Sequence, residues 1–410
     1  MPNNLILFKK ASLTLLILIL ARLGIFIPIP GIDHDAFYSS VSTNTFINFL
    51  NIFSGGGFST ICVFALGIVP YINASLVIQL LTKVIPYLEK IQKEDGEIGK
   101  QKIKQFTKYL TLLWAIIQSA IIALWIKPYV FYWNTTFIID TILSLTTGSL
   151  VIMWFSELIT DRGIGNGASL LIFQNIVSGI PNNIKESITK HSESTLDKLP
   201  LIFFLITIML SITILIQEGI RKIIIVSARQ LTKGQDLNPQ SYLPLKLNQG
   251  GVMPIVFASA SMVLPEYLQS ISNHLYIKNF LYLFTQAGIV HNTLYGVLII
   301  IFSYLYTSLI LNTDDLCNNL KKMGASIPNI RPGENTKIYL NIIIKRLTLL
   351  GSIFLFLIAL VPVVITNITD NNAFKGLGAT SLIILVGVAI DTAKQIQTYI
   401  ISEEYENIIQ

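Results

Sequence analysis

Charge is scarce in this chain. Asp, Glu, Lys and Arg together make up 13% of its 410 residues, against 52% hydrophobic residues. That is too little charge to cover the surface of water-soluble domains of this length, and a mean hydropathy of +0.63 points the same way. Cysteine is nearly missing. Cys62 and Cys317 cannot form a disulfide framework, and the topology below puts them on opposite faces. The four histidines, His34, His191, His274 and His291, fall in or beside loops, and no HExxH spacing occurs. There is no GxxxxGK[ST] phosphate loop, since "GGGFST" (Gly55–Thr60) lacks the lysine, and there are no paired intramembrane aspartates. These absences exclude a nucleotide site, a metal site and a covalent nucleophile, so no catalytic residue, no metal ligand and no cofactor is expected. No cleavable leader is expected. The apolar stretch Ser12–Ile27 runs into "FIPIPGID" (Phe26–Asp33) rather than small residues at a cleavage site, and it reads as a first membrane span.

What the chain does have is apolar blocks of the length a helix needs to cross ~30 Å of hydrocarbon, roughly 17–25 residues. They fall at 12–28, 59–82, 108–126, 136–156, 166–181, 200–217, 251–268, 293–311, 347–366 and 378–396. The expectation is an all-α polytopic membrane protein with ten transmembrane helices. Lys and Arg support it, because cytoplasmic loops are enriched in them. With the N-terminus inside, 22 of the 29 basic residues lie in inside segments and six outside, with Arg22 within the first span. Asp140, Glu157, Asp161, Asp391 and Lys394 lie near span ends and read as solvated helix termini.

The inside loops are long. "EKIQKEDGEIGKQKIKQFTKY" (Glu89–Tyr109) mixes signs, whereas Arg221–Lys246 and Lys321–Arg346 are basic. They serve either as topology signals alone or as a docking face for an acidic or RNA-containing partner. "IIIV" with arginine on both sides predicts a short hairpin projecting from the membrane.

Two membrane activities can be weighed directly. "GASL" (Gly167–Leu170) matches the Gly-x-Ser-x pattern of intramembrane proteases, but no histidine lies at membrane depth to serve as base for Ser169. A secondary transporter with discontinuous helices is the alternative function, and it calls for more ionisable groups near the midplane than this chain offers.

One stretch is unusual for a membrane segment. "NIFSGGGFSTICVFALGIVPYINASLVIQLL" (Asn51–Leu81) has three glycines in front of its apolar run and Gly67 and Pro70 inside it. Glycines 55–57 allow a sharp turn. A short helix is expected before Gly67, with a break at Pro70. Broken backbone inside a membrane is tolerable only where protein or a water-filled cavity surrounds it.

That stretch, together with "FIPIPGID", "EIGKQKIKQFTKYLTL", "ITDRGIGNGASLLIFQNIVSGIP", "YLPLKLNQGGVMPIVFAS", "IRPGENTKIYL", "RLTLLGSIFL" and "GATSLIILVGVAIDTAKQIQ", resembles the SecY family of protein-translocation channel subunits along essentially the whole chain. The resemblance implies two pseudo-symmetric inverted halves of five helices around a central pore. These are residues 1–181 and 200–410, joined by a hinge loop at 182–199, with docking loops at 219–248 and 312–346. It implies a protein-conducting channel that passes unfolded polypeptide and releases hydrophobic segments sideways into lipid, and no enzyme. It places a pore ring at Ile68, Ile72, Ala168, Ile172, Val256 and Ile384, with Ala168 smaller than is common there. It places a plug at Phe53, Gly55, Gly56, Gly57, Phe58, Cys62 and Phe64. A lateral gate would include Asn73, Leu76, Gln79, Pro254 and Phe257, together with the third and eighth spans. Docking of a motor or ribosome would use Arg221, Lys222, Arg229, Lys233, Arg331 and Lys337. Implied partners are a SecE-like single-span subunit, with or without a SecG-like one, a SecA-like ATPase motor or the ribosome, signal-bearing clients, and membrane lipid. Abundant Ile, Asn and Lys suit an AT-rich plastid genome and a thylakoid location, with a bacterial plasma membrane as the alternative.

The charge asymmetry makes a direct prediction. Single cysteines in the loops at 90–105, 225–240 and 325–340 should react with an impermeant maleimide from one face of the membrane. Those near Ser42, Ser192 and Asn273 should react only from the other.

Overall fold

The computed structural model describes residues 4–41, 54–58, 60–94, 96–190, 199–227, 241–255, 257–258, 261–262, 289–369 and 379–409. Two compact units emerge, residues 1–196 with 371–377 and 384–410, and residues 197–370 with 378–383.

The first unit opens with α1 (Asn4–Leu23), a 3-10 turn at Gly24–Phe26, and α2 (His34–Val41). It continues with α3 (Val69–Val84), α4 (Pro86–Glu94), α5 (Gly96–Ile126), α6 (Thr135–Arg162) and α7 (Gly167–Lys190). The second holds α8 (Leu199–Glu218), β1 (Ile220–Ser227), β2 (Ser241–Lys246), α9 (Ile289–Ile310), α10 (Thr313–Lys322), β3 (Ala325–Ser326) and α11 (Glu334–Thr369). The last helix, α12 (Ala379–Ile409), starts in the second unit, and from Ile384 onward it belongs to the first.

Eight of the expected spans fall on α1, α5, α6, α7, α8, α9, α11 and α12. Half of the expected span 251–268 lies outside the described residues. The expected span 59–82 is corrected, because helix begins only at Val69. Among the described residues, Gly96–Tyr129, Thr135–Arg162, Val290–Lys322 and Glu334–Val361 are long and apolar enough to cross a membrane, and Val69–Thr82, Gly167–Gly179 and Thr207–Glu218 are shorter apolar helices.

Several helices outrun the bilayer. α11 has 36 residues, about 54 Å at 1.5 Å per residue. α5 has 31 residues, about 46 Å. Their polar ends must stand clear of ~30 Å of hydrocarbon. At one such end, Lys108 pairs with Glu157 at 2.7 Å and Lys104 with Asp161 at 3.2 Å, two rungs one turn apart between α5 and α6. Glu157 and Asp161 are therefore ion-paired rather than merely solvated. The helix spacing of four residues on both chains brings two opposite-sign pairs into register.

Helix starts follow local chemistry. Asn166 caps α7, its Oδ1 accepting from Ala168 N at 3.1 Å and Ser169 N at 3.4 Å, while Gly167 N donates to Thr160 Oγ1 at 2.9 Å. "GASL" is thus the capped first turn of a helix. α7 was expected to end at Pro181, but it continues to Lys190 with the proline inside. Loss of a single donor, to the carbonyl of Val177, leaves the turns on either side intact.

The expected hairpin forms. β1 pairs antiparallel with β2, Ile220 opposite Lys246 through Ile225 opposite Ser241, and with the two-residue β3 through Val226 opposite Ser326. Along β1, Ile223 and Ile225 are buried and Ile224 is exposed, the alternation of a one-sided sheet. The buried face packs Leu245, Leu320 of α10 and Ile327 against the foot of α11 through Leu340, Ile343, Ile344 and Leu347. In α10, Asn312 Oδ1 accepts from Asp314 N at 3.0 Å, and acidic residues open the helix where basic ones close it. This small sheet is an addition to a helical membrane fold, and it lies in the loops expected to dock a partner.

Candidate functional site

Residues Gly55–Phe58 and Thr60–Ile68 form a chain of turns. The backbone explains why no helix forms here. Gly55, Gly56, Ile61 and Gly67 all have φ between +41° and +93°, which interrupts helical geometry every few residues. Most of the bonds that remain close four-residue β-turns, such as Gly57 N to Ser54 O at 3.2 Å, Ala65 N to Cys62 O at 3.0 Å and Gly67 N to Phe64 O at 2.9 Å. The short helix expected before Gly67 is therefore corrected. So is the break expected at Pro70. That proline lies in the first turn of α3, where its missing N–H has no partner to lose. The discontinuity falls at Gly67–Ile68, just upstream.

A second non-helical strip holds these turns. Ile29 N donates to Ile61 O at 3.1 Å and Val63 N to Ile27 O at 3.0 Å, a two-bond antiparallel pairing centred on Pro28 and Cys62. Further along the strip, Asp33 N donates to Tyr129 O at 2.8 Å, and Phe131 N to Gly31 O at 3.2 Å. "FIPIPGID" is thus a backbone hub between the turns and the end of α5.

Two glycines make the seat. A Cβ on Gly148 of α6 would lie 2.0 Å from the Val63 carbonyl oxygen, and one on Gly24 would lie 1.9 Å from the Phe64 ring. Only hydrogen fits at either place, so the turns press directly onto α6 and the end of α1. Around them Phe58, Ile61, Cys62, Ala65 and Leu66 join Ile25, Ile29, Ile122, Ile126 and Leu145 in one buried cluster. Phe58 stacks on Trp125 at 6.2 Å, and Phe37 meets Trp125 edge-on at 5.7 Å. At the other end of the turns, Arg22 Nη1 donates to Gly55 O at 2.7 Å.

The expected site residues fall as follows. Gly55, Gly57, Phe58 and Cys62 are buried within the seat, and Gly56 and Phe64 are half-buried. Ile68 and Ile72 are buried one helical turn apart at the start of α3. Ile172 is buried and Ala168 half-buried with the same spacing on α7, and Ile384 is buried on α12. On α3, Leu76 is buried, Asn73 half-buried and Gln79 exposed. Pro254 is buried, and Phe257 lies 5.7 Å from the ring of Phe302 on α9. Arg221 and Lys222 are exposed on β1, with the Lys222 ammonium 4.9 Å over the Tyr242 ring. Arg331 is exposed in the turn before α11, where its carbonyl accepts from Thr336 Oγ1 at 2.9 Å. Lys337 is ion-paired to Asp314. The hydrogen bond and charge of that carboxylate hold the ammonium above the usual lysine value, so this lysine is engaged within its own unit. Phe53, Val256, Arg229 and Lys233 lie outside the described residues. Among the described residues no cluster of His, Cys, Asp and Glu could hold a metal ion.

Sequence reasoning missed Gly24, Gly148 and the role of Arg22. The signal was there, a glycine in the middle of an apolar helical pattern, which usually marks close packing. What it could not say was against what.

The SecY family profile matches residues 62–393. The chain belongs to the SecY family. It is 62% identical over 401 residues to the protein translocase subunit SecY of Porphyra purpurea, covering 98% of both chains. It is 49% identical to that of Synechococcus elongatus, over 98% of this chain and 94% of the relative. Among solved structures, a protein-conducting channel superimposes with a TM-score of 0.63 at 17% identity, covering 96% of this chain and 93% of that one. A SecY whose plug domain stabilizes the closed state of the translocation channel and maintains a membrane seal gives 0.62 at 17% identity, over 96% and 92%. Canine Sec61 from a ribosome–channel complex gives 0.60 at 17% identity, over 96% and 93%. SecY is a channel family and not an enzyme family.

The seat predicts its own weak point. Gly148→Ala should cost about 1–3 kcal/mol, the usual penalty for overpacking, because the rigid carbonyl of Val63 must move. A lower unfolding temperature in detergent, with unchanged helical content, is the expected readout.

Proposed function

We propose that this chain is the channel subunit of a thylakoid protein translocase, passing unfolded polypeptides across the membrane and releasing hydrophobic segments into lipid. One observation supports it most. A non-helical segment, Gly55–Ile68, is seated in an apolar cluster by a few backbone pairs and glycine contacts, while α3 starts afresh after it. Such a segment can leave its seat without unwinding a helix. This is the behaviour required of a plug. The algal and cyanobacterial relatives support a plastid setting.

In this reading Ile68, Ile72, Ala168, Ile172, Val256 and Ile384 form the pore ring. Branched aliphatic side chains offer no groups to replace an ion's hydration shell, so a narrow pore lined with them resists wetting. The same side chains carry no charge and yield around any passing sequence. A hydrophobic client segment would leave by a gate that includes Asn73, Leu76, Gln79, Pro254 and Phe257, driven by ~0.8 kcal/mol per CH2 buried in lipid. Two inverted halves, residues 1–181 and 200–410, would open about the loop at 182–199.

The energy source lies in a partner. The exposed basic residues Arg221, Lys222 and Arg331 on the sheet and the α11 foot are the proposed docking face for a SecA-like motor or a ribosome, with a SecE-like subunit bracing the halves. The solved relatives include an idle yeast Ssh1 complex bound to the 80S ribosome. A secondary transporter fits less well, because Glu157 and Asp161 are ion-paired at helix ends.

Two tests follow. Deleting Gly57–Phe64, or replacing Ile72 and Ile172 together with serine, should raise resting ion conductance in planar bilayers and relax the demand for a strong signal sequence. Unchanged conductance for both correctly inserted variants would overturn the plug and ring. Arg331→Glu should abolish translocation at normal abundance, and binding of the motor to the parent protein should weaken as salt rises. Normal transport by that variant would return the basic loops to topology signals.

A further inference from the structure

Arg22 is an unusual residue to find at the end of α1, in the apolar run "LLILILARLGIF". Its guanidinium is half-buried and lies 5.6 Å from the Phe26 ring. One of its five donors reaches the Gly55 carbonyl at 2.7 Å, the short distance of a charge-assisted bond. The approach requires glycine. A Cβ on Gly55 would lie 2.7 Å from Asn175 Oδ1 and 3.0 Å from Arg22 Nη1, and Gly55 has φ +64°. The frame behind the contact is tied separately, since Gln174 Nε2 of α7 donates to Leu18 O of α1, one turn before Arg22, at 2.8 Å.

The two ends of the turn segment are therefore held by different chemistry. Around Ile61–Phe64 the hold is apolar packing, backbone pairing and glycine contacts. At Gly55 it is a charged donor fixed on a helix frame, meeting a carbonyl on the part proposed to move. We propose that Arg22 is a latch residue that holds the plug segment closed through the Gly55 carbonyl, so that its guanidinium sets the threshold for opening. The proposal rests on the plug reading of Gly55–Ile68.

The chain carries its own reporter. Cys62, within the turns, is fully buried, and Cys317 is the only other thiol. In a Cys317→Ser background, modification of Cys62 by N-ethylmaleimide in intact membranes reads how often the segment leaves its seat, and planar-bilayer conductance reads whether leaving opens a pore. Arg22→Met, inserted at normal abundance, should raise the Cys62 rate about 10–100-fold, the range expected for loss of a hydrogen bond to a charged group. Arg22→Lys, which keeps the charge on a smaller donor, should lie between Met and the parent, and it serves as the test variant if Arg22→Met fails to insert. A parental Cys62 rate in either inserted variant overturns the latch. The outcome is separable from that of the plug reading. If the Gly57–Phe64 deletion leaks while the Arg22 variants label like the parent, the latch fails and the plug stands. If the Arg22 variants label faster but neither they nor the deletion leak, Arg22 only tethers the segment, the plug reading fails, and the latch role in opening is overturned with it.

Discussion

Everything in the first unit depends on how non-helical backbone is satisfied inside an apolar setting. An unpaired amide or carbonyl away from water costs several kcal/mol, so a break in a membrane helix survives only if other groups take over its hydrogen bonds. Here two broken stretches pair with each other. Ile27 and Ile29 exchange bonds with Ile61 and Val63, and the rest of "FIPIPGID" continues the pairing to Tyr129 and Phe131. Neither break would be tolerable alone. The glycines at 24 and 148 then let the paired backbone lie against its neighbours with no side chain between.

In the proposed reading, this arrangement lets the Gly55–Ile68 segment move while the helices around it stay in place. The turns of Gly55–Ile68 share few bonds with α3, which starts at Val69 with Pro70 in its first turn. Separating them from their seat breaks two backbone pairs, one arginine contact and an apolar interface, and it leaves every long helix as it was. On the plug proposal, the contacts to be broken for opening are local, which suits a channel that must open for a client and shut again.

The second unit solves a different problem, that of building a rigid platform on a loop. α11 overshoots the bilayer, and its foot supplies Leu340, Ile343, Ile344 and Leu347 as a surface for a three-stranded sheet and α10. With one face of the sheet buried there, the other presents Lys222 and Ile224 to solvent, while Arg221 is exposed near the start of β1. Basic residues on such a platform keep a fixed geometry that a free loop would not give them.

Much of this was legible in the chain itself. Eight apolar runs became helices close to where hydropathy put them, because the bilayer sets the length and composition of the part of a helix that crosses it. The β1 hairpin was readable from alternation around "IIIV". The family was readable from eight ordered motifs. Tertiary structure decided the rest. Whether "GGGFSTICVFALG" would be helix or turns depended on partners more than thirty residues away, at Ile27–Ile29 and Gly148. Pro70 could end one helix or begin another, and in the fold it lies in the first turn of α3. Glu157 and Asp161 look like free helix ends in one dimension and become ion pairs only once α5 lies beside α6. Arg22 reads as a stray charge until the Gly55 carbonyl is placed against it. Periodicity and composition act along the chain, so the sequence alone determined where eight of the membrane helices lie, and the family. A close approach between two backbones is a property of both surfaces, and only the folded chain brings them together.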